Sequence, residues 1–98
     1  MDFIDRLETE WDTEGFLGQL RMGKFESTDA VRFLSFLKAI AIPEGALVPK
    51  RALSLLWYLP SFLIWQRERV VERGTSVVDF DRFVTEVQNT LEEVLCIP

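Results

Sequence analysis

The chain of 98 residues contains no histidine and a single cysteine, Cys96. Histidine is the commonest general base near neutral pH and a frequent zinc ligand, so its absence argues against histidine-activated nucleophiles and His-containing zinc sites. One cysteine cannot form an intramolecular disulfide, and residues 1–5 lack the basic and apolar character of a signal peptide. We therefore expect a cytoplasmic protein with no catalytic, cofactor-binding or metal-binding residues.

Apolar runs long enough to span a membrane and glycine-rich phosphate loops are also missing. The stretch 52–65 carries no charge, but as a helix it would measure ~21 Å, short of the ~30 Å hydrocarbon core of a membrane. It also lacks the strongly polar face that a helix lying in the membrane interface needs. Gly15, Gly18 and Gly23 are scattered, and no Lys-Ser or Lys-Thr pair follows them, so no nucleotide-binding loop is indicated. We expect no stable membrane insertion.

Negative charge predominates at both ends of the chain. In total, 16 acidic and 11 basic residues give a formal charge of −5. Residues 1–14 contain six acids and one base, residues 15–73 five acids and nine bases, and residues 74–98 five acids and one base. A nucleic-acid-binding protein needs a concentrated basic surface to displace counterions from phosphates. The charge balance therefore favours a protein partner, in particular a basic one, over nucleic acid.

Apolar residues make up 48% of the chain and recur at helical spacing along its length. This pattern predicts an all-α fold, a single domain over residues 1–98 that forms a bundle of four to five helices. The first helix is expected to begin at Asp2 as its N-cap. Thr13 is expected to cap a short second helix, which Gly23 stops.

The third helix is predicted to begin at Ser27 or Thr28 and to end before Pro43, with Val31 in its apolar stripe. Residues 42–46 form the clearest loop in the sequence.

The fourth helix is predicted to run from Pro49, at its first helical position, to Arg73, and to be interrupted by Pro60. Gly74 ends it, and Ser76 begins a strongly amphipathic last helix.

The charge-free segment of the fourth helix is predicted to be central, with the other helices around it. A row of hydroxyl and amphipathic aromatic residues nevertheless recurs on it at helical spacing: Ser54, Tyr58, Ser61 and Trp65, leading on to Arg69. These aromatic side chains are either core residues with polar tips at the surface, or anchors of a groove or a symmetric dimer interface. A second candidate for the dimer interface is the side formed by Leu55, Leu59 and Phe62.

Acidic residues also recur on one face of the first helix. Asp5, Glu8 and Asp12 stand at i, i+3 and i+7, which gives either a solvated face or a docking surface for a basic partner.

Three functions are compatible with these patterns. The leading prediction is a non-enzymatic protein-interaction module, such as an acidic, immunity-like inhibitor of a basic protein. The alternative is a homodimeric structural or regulatory helical protein, and the third is a small carboxylate-dependent hydrolase. Convergence of carboxylates in a concave pocket would distinguish the hydrolase from the binding module.

Overall fold

A computed structural model describes residues 3–95, and every regular element in that range is a helix. In chain order the helices are α1 (Phe3–Trp11), α2 (Phe16–Leu20), α3 (Ser27–Lys38), α4 (Lys50–Trp57), α5 (Leu59–Glu72) and α6 (Val77–Leu95). The predicted all-α bundle is confirmed, with the predicted fourth helix present as two consecutive segments, α4 and α5. Asp2, the predicted first N-cap, and Cys96 lie outside the described residues.

The turn between α1 and α2 differs from the prediction. Thr13 does not cap α2; the N-cap is Gly15, whose N–H donates to the carbonyl of Asp12 at 2.9 Å. A Cβ on Gly15 would overlap carbonyls at the end of α1, and a Cβ on Gly18 would overlap the carbonyl of Asp12. The backbones approach so closely that the two glycines, rather than a capping hydroxyl, determine where α2 can begin.

Two other glycines end helices as predicted. Gly23 follows α2 with φ of 81° and Gly74 follows α5 with φ of 107°, in a region that side chains disfavour. In each case the N–H after the glycine donates to a carbonyl five residues earlier, at 3.0 Å for Lys24 and 3.3 Å for Thr75. This Schellman arrangement satisfies carbonyls that the end of a helix would otherwise leave unpaired.

The boundaries of α3, α4 and α6 lie close to the predicted ones. α3 begins at Ser27 and ends at Lys38, before Pro43. Pro49 is the N-cap of α4, with φ of −57° and ψ of 140°, so α4 begins at Lys50, one position later than predicted. The Ser76 hydroxyl accepts the backbone N–H of Asp79 at 3.4 Å, so it caps α6 as expected.

The predicted interruption at Pro60 is present, and the break lies two residues earlier. Pro60 falls in the first turn of α5, where its missing N–H removes no intrahelical bond. Tyr58, between α4 and α5, keeps helical dihedrals of −74° and −19°. Its N–H donates to the carbonyl of Ser54 at 3.3 Å, and its carbonyl accepts the N–H of Phe62 at 3.0 Å. The chain therefore stays helical in conformation through the break.

Phenylalanine rings form much of the core where α3 packs against α6. The rings of Phe16 and Phe33 stack with centroids 5.1 Å apart, and Phe25 meets Phe80 edge-on at 5.3 Å. α1 packs against α2 and α4, and α5 packs against α6. Val31 was predicted to be apolar core but is 65% exposed, because it lies beside the row that α3 buries, which consists of Ala30, Phe33, Leu34 and Leu37.

The charge-free segment is not covered on every side, contrary to the prediction of a central helix. Its inner side packs into the core, since Leu55, Leu59 and Phe62 are all buried. The alternative dimer interface through these three residues is therefore wrong: they are already used by the fold itself. Its outer side remains exposed.

Candidate protein-interaction surface

The outer side of α4 and α5 exposes a set of large apolar side chains. Trp57 is 73% exposed and Trp65 is 70% exposed, values that are unusual for tryptophan in a folded chain. We call this surface the aromatic face, and its members are Leu53, Trp57, Tyr58, Ile64 and Trp65. A groove of about 410 Å³ lies beside Trp57, between Pro60 and α6.

The predicted row of hydroxyl and aromatic residues lies on this side of the molecule. All five of its members are exposed: Ser54, Tyr58, Ser61, Trp65 and Arg69. The rings of Tyr58 and Trp65 meet edge-on, with centroids 6.1 Å apart, across the turn that contains Pro60. This contact shows that the proline does not rotate the two halves of the row apart. Trp65 is therefore a surface residue rather than a core aromatic.

Sequence reasoning missed Leu53, Trp57 and Ile64 as surface residues. In a segment without charged residues, few positions show which side faces solvent. Hydrophobic periodicity alone therefore does not separate these exposed residues from the buried ones. The available signal was Ser61: Trp57 lies four residues before it, and Ile64 three residues after it, on the same side of a helix.

The inner side of the aromatic face packs against Trp11 of α1. Trp11 stacks on Tyr58 with centroids 5.9 Å apart and meets Phe62 edge-on at 4.7 Å. The guanidinium of Arg21 lies 5.8 Å from the centre of the Trp11 ring and 5.3 Å from that of Phe62. Tyr58 is thus held on its inner side and exposed on its outer side, as a preorganised binding residue needs to be.

Most arginines along α4 and α5 are engaged within the chain. Arg51 donates to the Glu8 carboxylate at 2.8 Å, and Arg69 donates to the carbonyl of Arg21 at 2.7 Å. Arg67 forms two bonds with Asp81 of α6, at 2.7 and 3.0 Å. Its hydrogen bond and charge lower the pKa of Asp81, and the same pair raises the pKa of Arg67.

Four charged side chains on the same side have no ion pair within the described part of the chain, and one of them, Arg69, is bonded only to the uncharged oxygens of Arg21 and Gln66. Lys50 lies at the start of α4, and Glu68 and Glu72 lie in the second half of α5. All four are exposed. The aromatic face is therefore bordered by the unpaired positive charge of Lys50 at one end, and at the other end by the unpaired negative charges of Glu68 and Glu72 with the positive charge of Arg69 between them.

The three acidic residues predicted to form one face of α1 have different surroundings in the structure. Glu8 points its carboxylate to Arg51 of α4 and is half-buried there, so it links two helices. Asp5 and Asp12 are exposed and form no ion pair among residues 3–95. Two of the three predicted docking acids are thus available at the surface.

Asp12 also borders a depression of about 480 Å³ between α1, the following turn and α3. Four carboxyl-bearing residues line it: Glu10, Asp12, Glu14 and Asp29. Two of them are paired with arginines that line it too, since Arg6 is 3.7 Å from Glu10 and Arg32 is 3.2 Å from Asp29. The depression therefore keeps a net negative charge. Sequence spacing alone did not reveal the depression, because Asp29 and Arg32 of α3 form one side of it.

No helix within residues 3–95 combines the length and apolar character needed to cross a membrane. In the same range, no three His, Cys, Asp or Glu residues are grouped as a metal site requires. Comparison of the chain with models of known protein families, with curated proteins and with solved structures gave no significant match.

Proposed function

We propose that this chain is a non-enzymatic protein-interaction module that binds its partner through the aromatic face of α4 and α5. The observation that carries the proposal is the exposure of Trp57 and Trp65 on one side of a continuous helical segment. Tryptophan and tyrosine are the residues most enriched among the energetic anchors of interfaces. A contiguous apolar patch on a small domain indicates a binding surface.

The lack of histidine in the sequence supports binding rather than catalysis. The carboxylates that line the depression beside Asp12 are the remaining candidates for chemistry. Two of the four, Glu10 and Asp29, are paired with arginines, and such pairing favours an electrostatic surface over a proton-transferring pair.

We propose the acidic region around Asp5 and Asp12 as a separate contact area, for a basic protein that is distinct from the occupant of the aromatic face. Asp5 and Asp12 are exposed, and the depression beside Asp12 is negatively charged. A basic protein would be attracted to this region from a distance, as an acidic inhibitor attracts its target. We propose that this chain and its partner are cytoplasmic, consistent with the single cysteine. We also propose that the ligand is a protein rather than nucleic acid, since the formal charge of the chain is −5.

A matched pair of variants tests the aromatic face. The double variant Trp57→Ser and Trp65→Ser removes the two exposed indoles. The control, Val31→Ser and Val78→Ser, removes two apolar side chains of similar fractional exposure, 65% and 64%, on α3 and α6. Both variants are first checked for wild-type helicity by circular dichroism.

We expect proteins recovered on the wild-type chain from the native cell to be lost with the tryptophan variant and kept with the valine control. Titration of the purified partner then gives the affinity of each variant. Loss of one tryptophan anchor costs on the order of 2 kcal/mol of binding free energy, or roughly thirtyfold in affinity. Equal binding by the tryptophan variant and the wild type would refute the proposal.

A further inference from the structure

We infer that the partner on the aromatic face is a second copy of this chain, docked antiparallel about a two-fold axis at Ser61. The inference rests on the proposed function, because it names the occupant of the proposed binding surface. A two-fold contact requires one patch to be complementary to itself. The positions and charges along α4 and α5 satisfy this requirement.

The outer side of α4 and α5 has a symmetric spacing. Seven exposed residues lie along it: Lys50, Ser54, Trp57, Ser61, Trp65, Glu68 and Glu72. Successive members are four, three and four residues apart up to Ser61, and four, three and four residues apart after it. Steps of three or four residues keep all of them on one side of a helix. The spacing of the row is therefore the same when it is counted from either end.

Antiparallel docking about Ser61 places different sequence positions of the two copies side by side. Trp57 of one copy falls in the same layer as Trp65 of the second copy, and the two indoles lie next to each other rather than end to end. Offset or edge-on aromatic pairs of this kind add to the gain from burial. Two such layers form, one on each side of the axis.

The charges are complementary in the same register. Lys50 falls opposite Glu72 of the second copy, and Glu68 lies one turn further in. These three side chains form no ion pair within the described part of the chain. A parallel arrangement would instead place Lys50 beside Lys50 and Glu72 beside Glu72, and like charges repel. The free charges at the ends of the row therefore favour a second copy in antiparallel orientation.

The two copies approach each other most closely at the two-fold axis, where only a small residue fits. Ser61 is such a residue. Packed helices lie about 8–10 Å apart, and the Cα atoms of each helix lie ~2.3 Å from its axis. Directly facing Cα atoms at the axis of symmetry are then roughly 3.4–5.4 Å apart, and a disulfide can span the upper part of this range. The two Ser54 residues, each seven positions from the axis, would be ~21 Å apart.

Cysteine cross-linking tests this geometry with a built-in control. Ser61→Cys and Ser54→Cys are each made in a chain whose Cys96 is replaced by serine, and both are oxidised mildly under the same conditions. We expect Ser61→Cys to form a covalent dimer and Ser54→Cys to remain monomeric on a non-reducing gel. Equal cross-linking at both positions would overturn the antiparallel register. Absence of cross-linking at both, with a solution mass of 11.4 kDa at millimolar concentration, would overturn the dimer.

Charge exchange tests the register independently. Lys50→Glu should raise the dimer dissociation constant roughly threefold to thirtyfold, because two symmetric surface ion pairs are lost and replaced by repulsion. Glu72→Lys should act in the same direction, and the double variant Lys50→Glu, Glu72→Lys should restore the wild-type constant. Additive weakening in the double variant would show that the two positions do not face each other, and would overturn the inference.

Failure of this inference is distinguishable from failure of the proposed function. If the chain is monomeric, but Trp57→Ser with Trp65→Ser abolishes binding of a different protein, only the identity of the occupant is wrong. If that variant changes neither self-association nor binding of any other protein, the aromatic face is not an interaction surface and both proposals fail.

Discussion

Arg67 of α5 and Asp81 of α6 face each other as a fork, with Nε 2.7 Å from Oδ1 and Nη2 3.0 Å from Oδ2. Paired in this way, a guanidinium and a carboxylate hold two helices in one relative orientation. The contact joins the helix that carries the aromatic face to the helix that forms one wall of the core. Protonation of Asp81 is one route by which the stability of the fold should respond to acid.

The hydrogen bond and charge of Arg67 lower the pKa of Asp81 below its ordinary value. A carboxyl group with a lowered pKa in the folded state stabilises the fold above its unfolded pKa, about 3.9, and this contribution is lost as the pH falls through the folded value. We expect Asp81→Asn to be less stable than the wild type at neutral pH, and the difference to shrink as the pH falls below about 4. Urea unfolding across this range measures it.

Glu86→Gln is the control for that measurement, because Glu86 lies on the same helix and forms no ion pair within residues 3–95. A stability gap between Asp81→Asn and wild type that stays constant down to the lowest pH would contradict the role of the pair.

The phenylalanine cluster should dominate the stability of the bundle. Phe83 contacts the rings of Phe16, Phe25 and Phe33 and is 4% exposed. Phe83→Ala is expected to cost about 3–5 kcal/mol, a large part of the roughly 5–15 kcal/mol available to a domain. Val78→Ala, at a position 64% exposed on the same helix, should change stability by less than about 0.5 kcal/mol. Thermal unfolding that shifts equally in both variants would contradict this assignment of the core.

The close approach of α1 and α2 should make Gly18 intolerant of any side chain. A Cβ there would overlap the carbonyl of Asp12, and overpacking of this kind costs typically 1–3 kcal/mol or more. Gly45→Ala is the comparison: Gly45 has φ of 81° but no atom within 4 Å of an added Cβ, so only the backbone cost of about 1 kcal/mol applies. Chemical denaturation should rank Gly18→Ala as clearly less stable. The reverse order would refute the close approach.

Charge reversal on α1 separates docking from folding. Asp5→Lys with Asp12→Lys should slow association with a basic partner and reduce the salt dependence of the rate, because exposed charges act mainly on encounter. Glu8→Gln should leave the rate largely unchanged and slightly lower the stability of the monomer, since Glu8 pairs with Arg51 at 2.8 Å. Stopped-flow association at two salt concentrations distinguishes them. An unchanged rate in the double reversal would mean that these acids are only solvated.

The helices and their caps were largely predictable from the sequence because their signals are local. Gly23, Gly74 and Ser76 act at the ends where they were expected, through backbone freedom or a hydroxyl acceptor. The prediction that Thr13 caps α2 was wrong because the end of α1 lies against the start of α2 at that point. The position of Gly15 and Gly18 against α1 is a tertiary constraint, and tertiary constraints override local capping preference.

The candidate surface was only half predictable for a related reason. The row through Tyr58 and Trp65 was found because serine recurs with it, but Trp57 was not assigned to the surface. In a segment without charged residues, Leu55 and Leu53 look alike, and only packing distinguishes the buried one from the exposed one. The depression beside Asp12 was missed because Asp29 and Arg32 reach it from α3, although its other three acids are neighbours in the sequence.

The connection between α3 and α4, residues 39–49, divides the bundle into two sets of three helices. This connection carries no regular structure, and Leu47 within it is 94% exposed. The phenylalanine cluster is split by it: Phe16, Phe25 and Phe33 precede the connection, while Phe80 and Phe83 follow it. The rings on each side of the connection are buried against rings on the other side. The two sets of helices are therefore held together by side-chain packing as well as by the connecting residues. Protease nicking near Gly45 should leave two fragments that stay associated and that reassemble when mixed.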